Sequence, residues 1–153
     1  MPRTIWFDMD GTIADLYSVD NWLPMLREEN SYPYIHAKPM DNLSTLINVL
    51  QKLKKNGYNI GIISWTSKTG SANYNKRVRA AKVRWIKKYF DIVDTIHVIK
   101  YGTLKAKFAA QNDILFDDEI LNCQLWKDNG GISCHVSSIA DIENFCYNLL
   151  EAA

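Results

Sequence analysis

Three pairs of polar residues stand out because each follows closely on an apolar run. Asp8 and Asp10 follow Ile5-Trp6-Phe7, Ser64 and Thr66 follow Ile62-Ile63, and Asp117 and Asp118 follow Ile114-Leu115-Phe116. Lys105 and Lys107 lie just ahead of the last run. If the apolar runs are strands of one parallel sheet, their ends converge on the edge where such sheets bind ligands. Four carboxylates gathered there repel one another: a like-charged pair roughly 4 Å apart costs about 4 kcal/mol at an effective dielectric of about 20. A hard divalent cation with oxygen ligands relieves that repulsion, and Mg2+ suits a site of a few carboxylates plus a phosphate oxygen. A nucleophile in line with phosphorus, with positive charge around the equatorial oxygens, is what phosphoryl transfer requires.

The elements that must position these residues alternate along the chain. Thr4 to Phe7 reads as a short buried strand. Leu43 to Lys54 carries Leu43, Leu46, Ile47, Leu50 and Leu53 at helical spacing, with Asp41 as an expected N-cap and Asn56-Gly57 as a stop. Strands are expected at Tyr58 to Ile63, Thr95 to Ile99, Asp113 to Phe116 and Gly131 to Val136. Asn75 to Phe90 and Ile139 to Leu150 read as helices, and Leu104 to Ala110 as a short helical piece. This alternation predicts an α/β fold: a Rossmann-like three-layer α/β/α sandwich with a mostly parallel five-stranded sheet. Residues 13–40 break the alternation and read as a small cap insertion after the first strand. Within it, Asp15 is an expected cap, a short helical stretch runs through Trp22 and Leu26, and Pro33 and Pro39 fall in a loop.

With 153 residues the chain has the size of a single domain, spanning 1–153 with the 13–40 insertion. Its apolar (47%) and charged (23%) fractions are those of a globular protein, which argues against disorder. Cys123, Cys134 and Cys146 are odd in number and form no C-x-x-C pair, as expected of free thiols in a reducing compartment rather than a disulfide framework or zinc site. The apolar run near the N-terminus is cut short by Asp8, and no stretch approaches the roughly 20 apolar residues of a membrane helix. A cytoplasmic protein with no membrane partner is expected. His36, His97 and His135 show no metal spacing.

The motifs also carry a resemblance. Asp8-Met9-Asp10-Gly11-Thr12 resembles the first signature of the haloacid dehalogenase superfamily, a strand ending in D-x-D-G-T. Ile62-Ile63-Ser64 resembles its second, Lys107 its third, and Leu115-Phe116-Asp117-Asp118 its fourth, all in the expected order. The second half of the chain is most similar to the 5'(3')-deoxyribonucleotidase branch, through Val83 to Phe90, Lys107 and Asp113 to Asp118. Residues 13–40 are short for the cap of that branch, which leaves room for bulkier substrates.

The resemblance implies a magnesium-dependent phosphomonoester hydrolase. Asp8 would attack phosphorus to form an aspartyl-phosphate, and Asp10 would protonate the leaving oxygen and then activate water. Mg2+ would be held by the Asp8 carboxylate, the Asp10 backbone carbonyl, Asp117 and Asp118. Ser64 would donate to the phosphoryl group, and Lys107, with Lys105 as its rival, would neutralise it. Gly11, Thr12, Trp65 and Thr66 are the candidate substrate-contacting residues, with a small phosphorylated substrate, a nucleotide above all, as partner.

Plainer readings stand beside these. Asp117 and Asp118 could mark a helix N-terminus, Trp65 could pack in the core, and either lysine could be a surface residue. Lys76, Arg77, Arg79, Lys82, Arg84, Lys87 and Lys88 occupy 76–88 without an acid among them. That stretch is either a solvated helix face or a patch for phosphate-rich ligands, nucleic acid included. A phosphatase acting on polynucleotide ends, and a non-catalytic phosphate-binding domain, are the alternatives to a nucleotidase.

Overall fold

A computed structural model describes residues 2–152. Strand β1 spans Thr4–Phe7, and β2 (Ala14–Asp15) and β3 (Lys38–Pro39) form a two-residue antiparallel pair. Strands β4 (Asn59–Trp65), β5 (Thr95–Ile99), β6 (Ile114–Asp117) and β7 (Ile132–His135) follow. The helices are α1 (Trp22–Arg27), α2 (Tyr32–His36), α3 (Leu43–Lys55), α4 (Ala72–Tyr89), α5 (Ile120–Asp128) and α6 (Ile139–Glu151). The main sheet runs β5-β4-β1-β6-β7 with every neighbouring pair parallel. This is the expected Rossmann-like α/β fold. The chain winds outward from β1 through β4 to β5, then returns to β6 on the opposite side of β1, so the strand order reverses at β1. The crevice beyond the carboxyl ends of β1 and β6 is therefore the switch point.

Side-chain alternation along the strands assigns the two faces. Ile5, Phe7, Ile60, Ile62, Ile114 and Phe116 pack with Leu46, Leu50 and Leu53 of α3, Ile142 and Cys146 of α6, Trp85 of α4 and Phe90 just after it. Trp6, Ile63 and Leu115 point the other way, against Ala106 and Trp126. Trp6 lies opposite Gly61 in the β1–β4 register, and a Cβ on Gly61 would come within 2.4 Å of the indole. The absence of a side chain there is what admits the indole, whose Nε1 donates to buried Asp113 at 3.1 Å.

Several sequence expectations are corrected in detail. Helix α5 has no counterpart among the expected elements, because Ile120 and Leu121 are exposed and blur the stripe left by Cys123 and Trp126. The N-cap position of α3 is Asn42, in the left-handed region at φ 69°, rather than Asp41. Pro33 lies in the first turn of α2 instead of in a loop, where its fixed φ is compatible with helix, and Pro39 belongs to β3. Asp15 makes no side-chain cap bond to the 3-10 turn (Leu16–Ser18) that follows it. The insertion's Leu16 and Tyr34 pack on Tyr74, Val78 and Ala81 of α4. Among the described residues no helix is long and apolar enough to cross a membrane. All three cysteines are free thiols.

Candidate active site

The backbone after β1 is folded back tightly: the amides of Thr12, Ile13 and Ala14 all donate to the Met9 carbonyl. Gly11 permits this turn at φ 81°. It also permits an approach, because a Cβ there would fall 2.3 Å from Asp118 Oδ2 and 2.8 Å from Tyr17. Asp8 is thereby held with its backbone amide on the Phe116 carbonyl at 2.9 Å, which fixes the ends of β1 and β6 side by side. Its carboxylate is oriented from two directions. Thr12 Oγ1 donates to Oδ2 at 3.1 Å, and Lys105 Nζ donates to Oδ1 at 2.7 Å.

Lys105, 3% exposed, also donates to Asp117 Oδ2 at 2.8 Å. Asp117 takes further bonds from the Glu119 amide and from Asn122 Nδ2, at 2.9 and 3.1 Å. Asp8, Asp117 and Asp118 each offer a carboxylate oxygen within 4.8 Å of the others. Burial pushes the Asp118 carboxyl up to about 8, with the negative charge of Asp8 adding to the shift. Asp117 rises to about 6, again through burial and then Asp8, against the opposing pull of Lys105. Lys105 moves upward despite its burial, because Asp8 and Asp117 hold its proton. The predicted repulsion is thus a property of the folded site, and a divalent cation is the species that would relieve it.

A second cluster lies on the β4 side. Lys82, from α4, is 1% exposed and donates to Asp10 Oδ2 at 2.6 Å, Ser64 Oγ at 2.8 Å and the Trp65 carbonyl at 2.6 Å. The Tyr34 ring covers the ammonium, with its centroid 4.9 Å from Nζ. Burial raises the Asp10 carboxyl above its ordinary value, although Lys82 opposes the rise. An elevated carboxyl retains a proton to give away.

The pocket between the two clusters has a volume of about 300 Å³ and is lined by Asp8, Asp10, Ser64, Lys105, Asp117 and Asp118. Its upper walls are aromatic. Trp65 and Tyr101 meet at 4.9 Å and 56°, and Tyr17 and Trp22 meet edge to face at 4.9 Å. Trp65 is fixed by Nε1 donating to the Thr103 carbonyl at 2.9 Å, with Lys105 beneath the ring. Buried Thr66 lines the pocket as well, its amide bonded to the Ile99 carbonyl. A larger hollow of about 600 Å³ between α4 and β5 contains none of these groups.

Of the residues singled out in the sequence, Asp8, Asp10, Ser64, Trp65, Thr66, Asp117 and Asp118 are brought together around one pocket. Thr12 sits behind Asp8 and orients it. Lys107 is corrected: it is exposed, and Lys105 meets the carboxylates instead. The short helical piece is a 3-10 turn over Lys105–Phe108. With about three residues per turn, positions two apart face different directions, so only one lysine can point inward. Lys82 was read only as part of the basic stretch. Its signal was position: it falls four residues after Val78 and three before Trp85, on the stripe that α4 buries. Lys76, Arg79, Arg84 and Lys87 border a shallow hollow outside the pocket.

No family model matches the chain, and no curated protein matches it by sequence. Solved structures do. A hydrolase from Streptococcus pneumoniae TIGR4 superposes with a TM-score of 0.57 at 10% identity, over 94% of this chain and 97% of that one. The D,D-heptose 1.7-bisphosphate phosphatase from B. bronchiseptica, complexed with magnesium and phosphate, gives 0.56 at 10% identity over 99% of both chains. The D,D-heptose 1,7-bisphosphate phosphatase from Burkholderia thailandensis gives 0.53 at 10% identity, over 94% of this chain and 98% of that one. At such identities the likeness is one of architecture: the chain has the α/β fold of these hydrolases over nearly its whole length.

Proposed function

We propose that the chain is a magnesium-dependent phosphomonoester hydrolase of the haloacid dehalogenase type, with Asp8 as nucleophile. The observation that carries this reading is the Asp8 carboxylate, oriented by Thr12 and Lys105 and sharing a three-carboxylate cluster with Asp117 and Asp118. The donor set is all oxygen. Three carboxylate oxygens within 4.8 Å of one another are the kind of donors Mg2+ takes. Asp8, Asp117, Asp118 and the Asp10 backbone carbonyl would hold it. When bound, the ion supplies positive charge against the phosphoryl oxygens. The magnesium and phosphate held by the B. bronchiseptica phosphatase of the same fold support this choice.

The chain's own residues then account for both half-reactions. An Asp8 carboxylate oxygen attacks phosphorus and the bond to the leaving oxygen breaks, while the Asp10 carboxyl gives that oxygen its proton. In the second half, the Asp10 carboxylate takes a proton from water. The water oxygen attacks phosphorus, the bond to Asp8 breaks, and inorganic phosphate leaves with Asp8 restored. Lys105 and Ser64 contribute charge and a hydrogen bond to the transferring group, the kind of preorganised stabilisation that dominates such reactions.

For substrate, the aromatic upper walls favour a nucleoside monophosphate, because planar rings stack on Trp and Tyr faces at little entropic cost. A phosphate-release screen tests this reading across nucleotides, sugar phosphates and end-phosphorylated oligonucleotides, with and without Mg2+. The expected result is metal-dependent release, greatest from nucleotides and lost in Asp8→Asn. Equal rates on sugar phosphates would remove the nucleotide assignment, and turnover surviving Asp8→Asn would remove the mechanism.

A further inference from the structure

Helix α4 places a buried cation, Lys82, behind the pocket wall, against the lining residues Asp10 and Ser64, and the two-step reaction above gives it no task. The Lys82 ammonium has three N–H donors, and each has an acceptor: a carboxylate oxygen of Asp10, the hydroxyl of Ser64 and the carbonyl of Trp65. Tyr34, from the insertion, closes over it. An ammonium taken out of water costs several kcal/mol unless it is paired and fully hydrogen-bonded. The apolar stripe of α4 around Val78, Ala81 and Trp85 would accept a methionine at this position without that cost. The lysine is thus retained at a place where packing alone does not call for it.

We propose that Lys82 is a positioning residue that orients both the proton donor Asp10 and the phosphoryl-binding hydroxyl of Ser64, an inference that rests on the phosphatase reading. The hydrogen-bond inventory gives the reason. A serine hydroxyl has one proton to donate. Because Ser64 Oγ accepts from Lys82, that proton is directed elsewhere, and Ser64 borders the pocket. Asp10 is fixed in the same way. With Oδ2 on Lys82, Oδ1 is the oxygen left for the leaving group. One cation therefore sets two rotamers, on the loop after β1 and at the end of β4, as Lys105 does for Asp8 and Asp117 on the other side of the pocket.

The test separates orientation of a proton donor from general damage. Single-turnover phosphoryl transfer is measured for wild type and Lys82→Met on two esters, p-nitrophenyl phosphate and an alkyl phosphate. The first leaving group departs with little help from an acid; the second needs its proton. Lys82→Met is expected to lose about 10²-fold on the alkyl ester and only a few-fold on the aryl ester, the scale of general-acid catalysis. Equal losses on both esters, or a change confined to KM, would overturn the role. A double variant, Asp10→Asn with Lys82→Met, leaves no buried charge unpaired and serves if the single variant does not fold. Its alkyl-ester rate is expected to fall only the same few-fold below that of Asp10→Asn alone, the share carried by Ser64, and a further tenfold loss would overturn the proposal. A wild type that hydrolyses neither ester would instead remove the phosphatase reading beneath it.

Discussion

The pocket has two flanks, and each uses one buried lysine to hold carboxylates, but they are built by different means. On the β1–β6 flank, Asp8, Asp117 and Lys105 come from strand ends and the turn just before a strand, all in neighbouring positions of the sheet. On the β4 flank, Asp10 and Ser64 are joined by a lysine from the middle of an 18-residue helix, covered by a tyrosine from the insertion. The first arrangement follows from sheet topology alone. The second depends on how α4 and the insertion pack.

The largest effect expected on this comparison is at Asp8, the proposed nucleophile on the β1–β6 flank. Asp8→Asn should reduce turnover by about 10⁵-fold or more while leaving the circular dichroism spectrum unchanged; steady-state phosphate release reads the first and spectroscopy the second. Next come the two lysines of the 3-10 turn. Lys105→Met should lower kcat by about 10²- to 10³-fold and destabilise the metal-free protein by about 3 kcal/mol, since Asp8 and Asp117 lose their shared partner. Lys107→Met should leave kcat unchanged and stability within about 0.5 kcal/mol. If the two variants behaved alike in denaturant melts and kinetics, the geometry of the β1–β6 flank would be wrong.

A third expectation concerns pH. Folded Asp117 and Asp118, raised to about 6 and about 8, keep protons that the unfolded chain has released. Metal-free stability should therefore fall as pH rises from about 4 to about 8, the direction linkage gives for an elevated carboxyl. Mg2+ competes with those protons, so its stabilisation should grow over the same window, giving a Tm increase of several degrees near pH 8 and little near pH 5. Thermal melts with and without Mg2+ across this range check both statements. A last effect, on stability alone, lies outside both flanks. Gly61→Ala forces a methyl against Trp6 and should cost about 1 to 3 kcal/mol with KM unchanged, as measured by urea unfolding and initial rates.

The same contrast explains what the sequence could reveal. Strand ends are legible because an apolar run that stops at an acid or a hydroxyl marks both an element and its edge; Asp8, Asp10, Ser64, Asp117 and Asp118 are legible this way. Lys105 was confused with Lys107 because a 3-10 turn has too few residues to display a period. Lys82 is hidden by its neighbours: with six other cations between 76 and 88 it reads as part of one basic face, though the interval to Val78 and Trp85 places it inside. Helix α5 was missed because Ile120, 66% exposed, and Leu121, 60% exposed, sit off its buried face.

The two-residue pair of β2 and β3 has a consequence for access. Ala14 pairs with Pro39 and Asp15 with Lys38, so the insertion leaves and re-enters the core through a single clasp. Leu16 and Tyr34 are fastened to α4 a short way above it. An appendage tied at its base and along its side does not swing on a hinge. The half-exposed Tyr17 and Tyr101 on the pocket's rim are then the groups expected to govern access, and rotations of exposed side chains take nanoseconds rather than the microseconds to milliseconds of a closing lid.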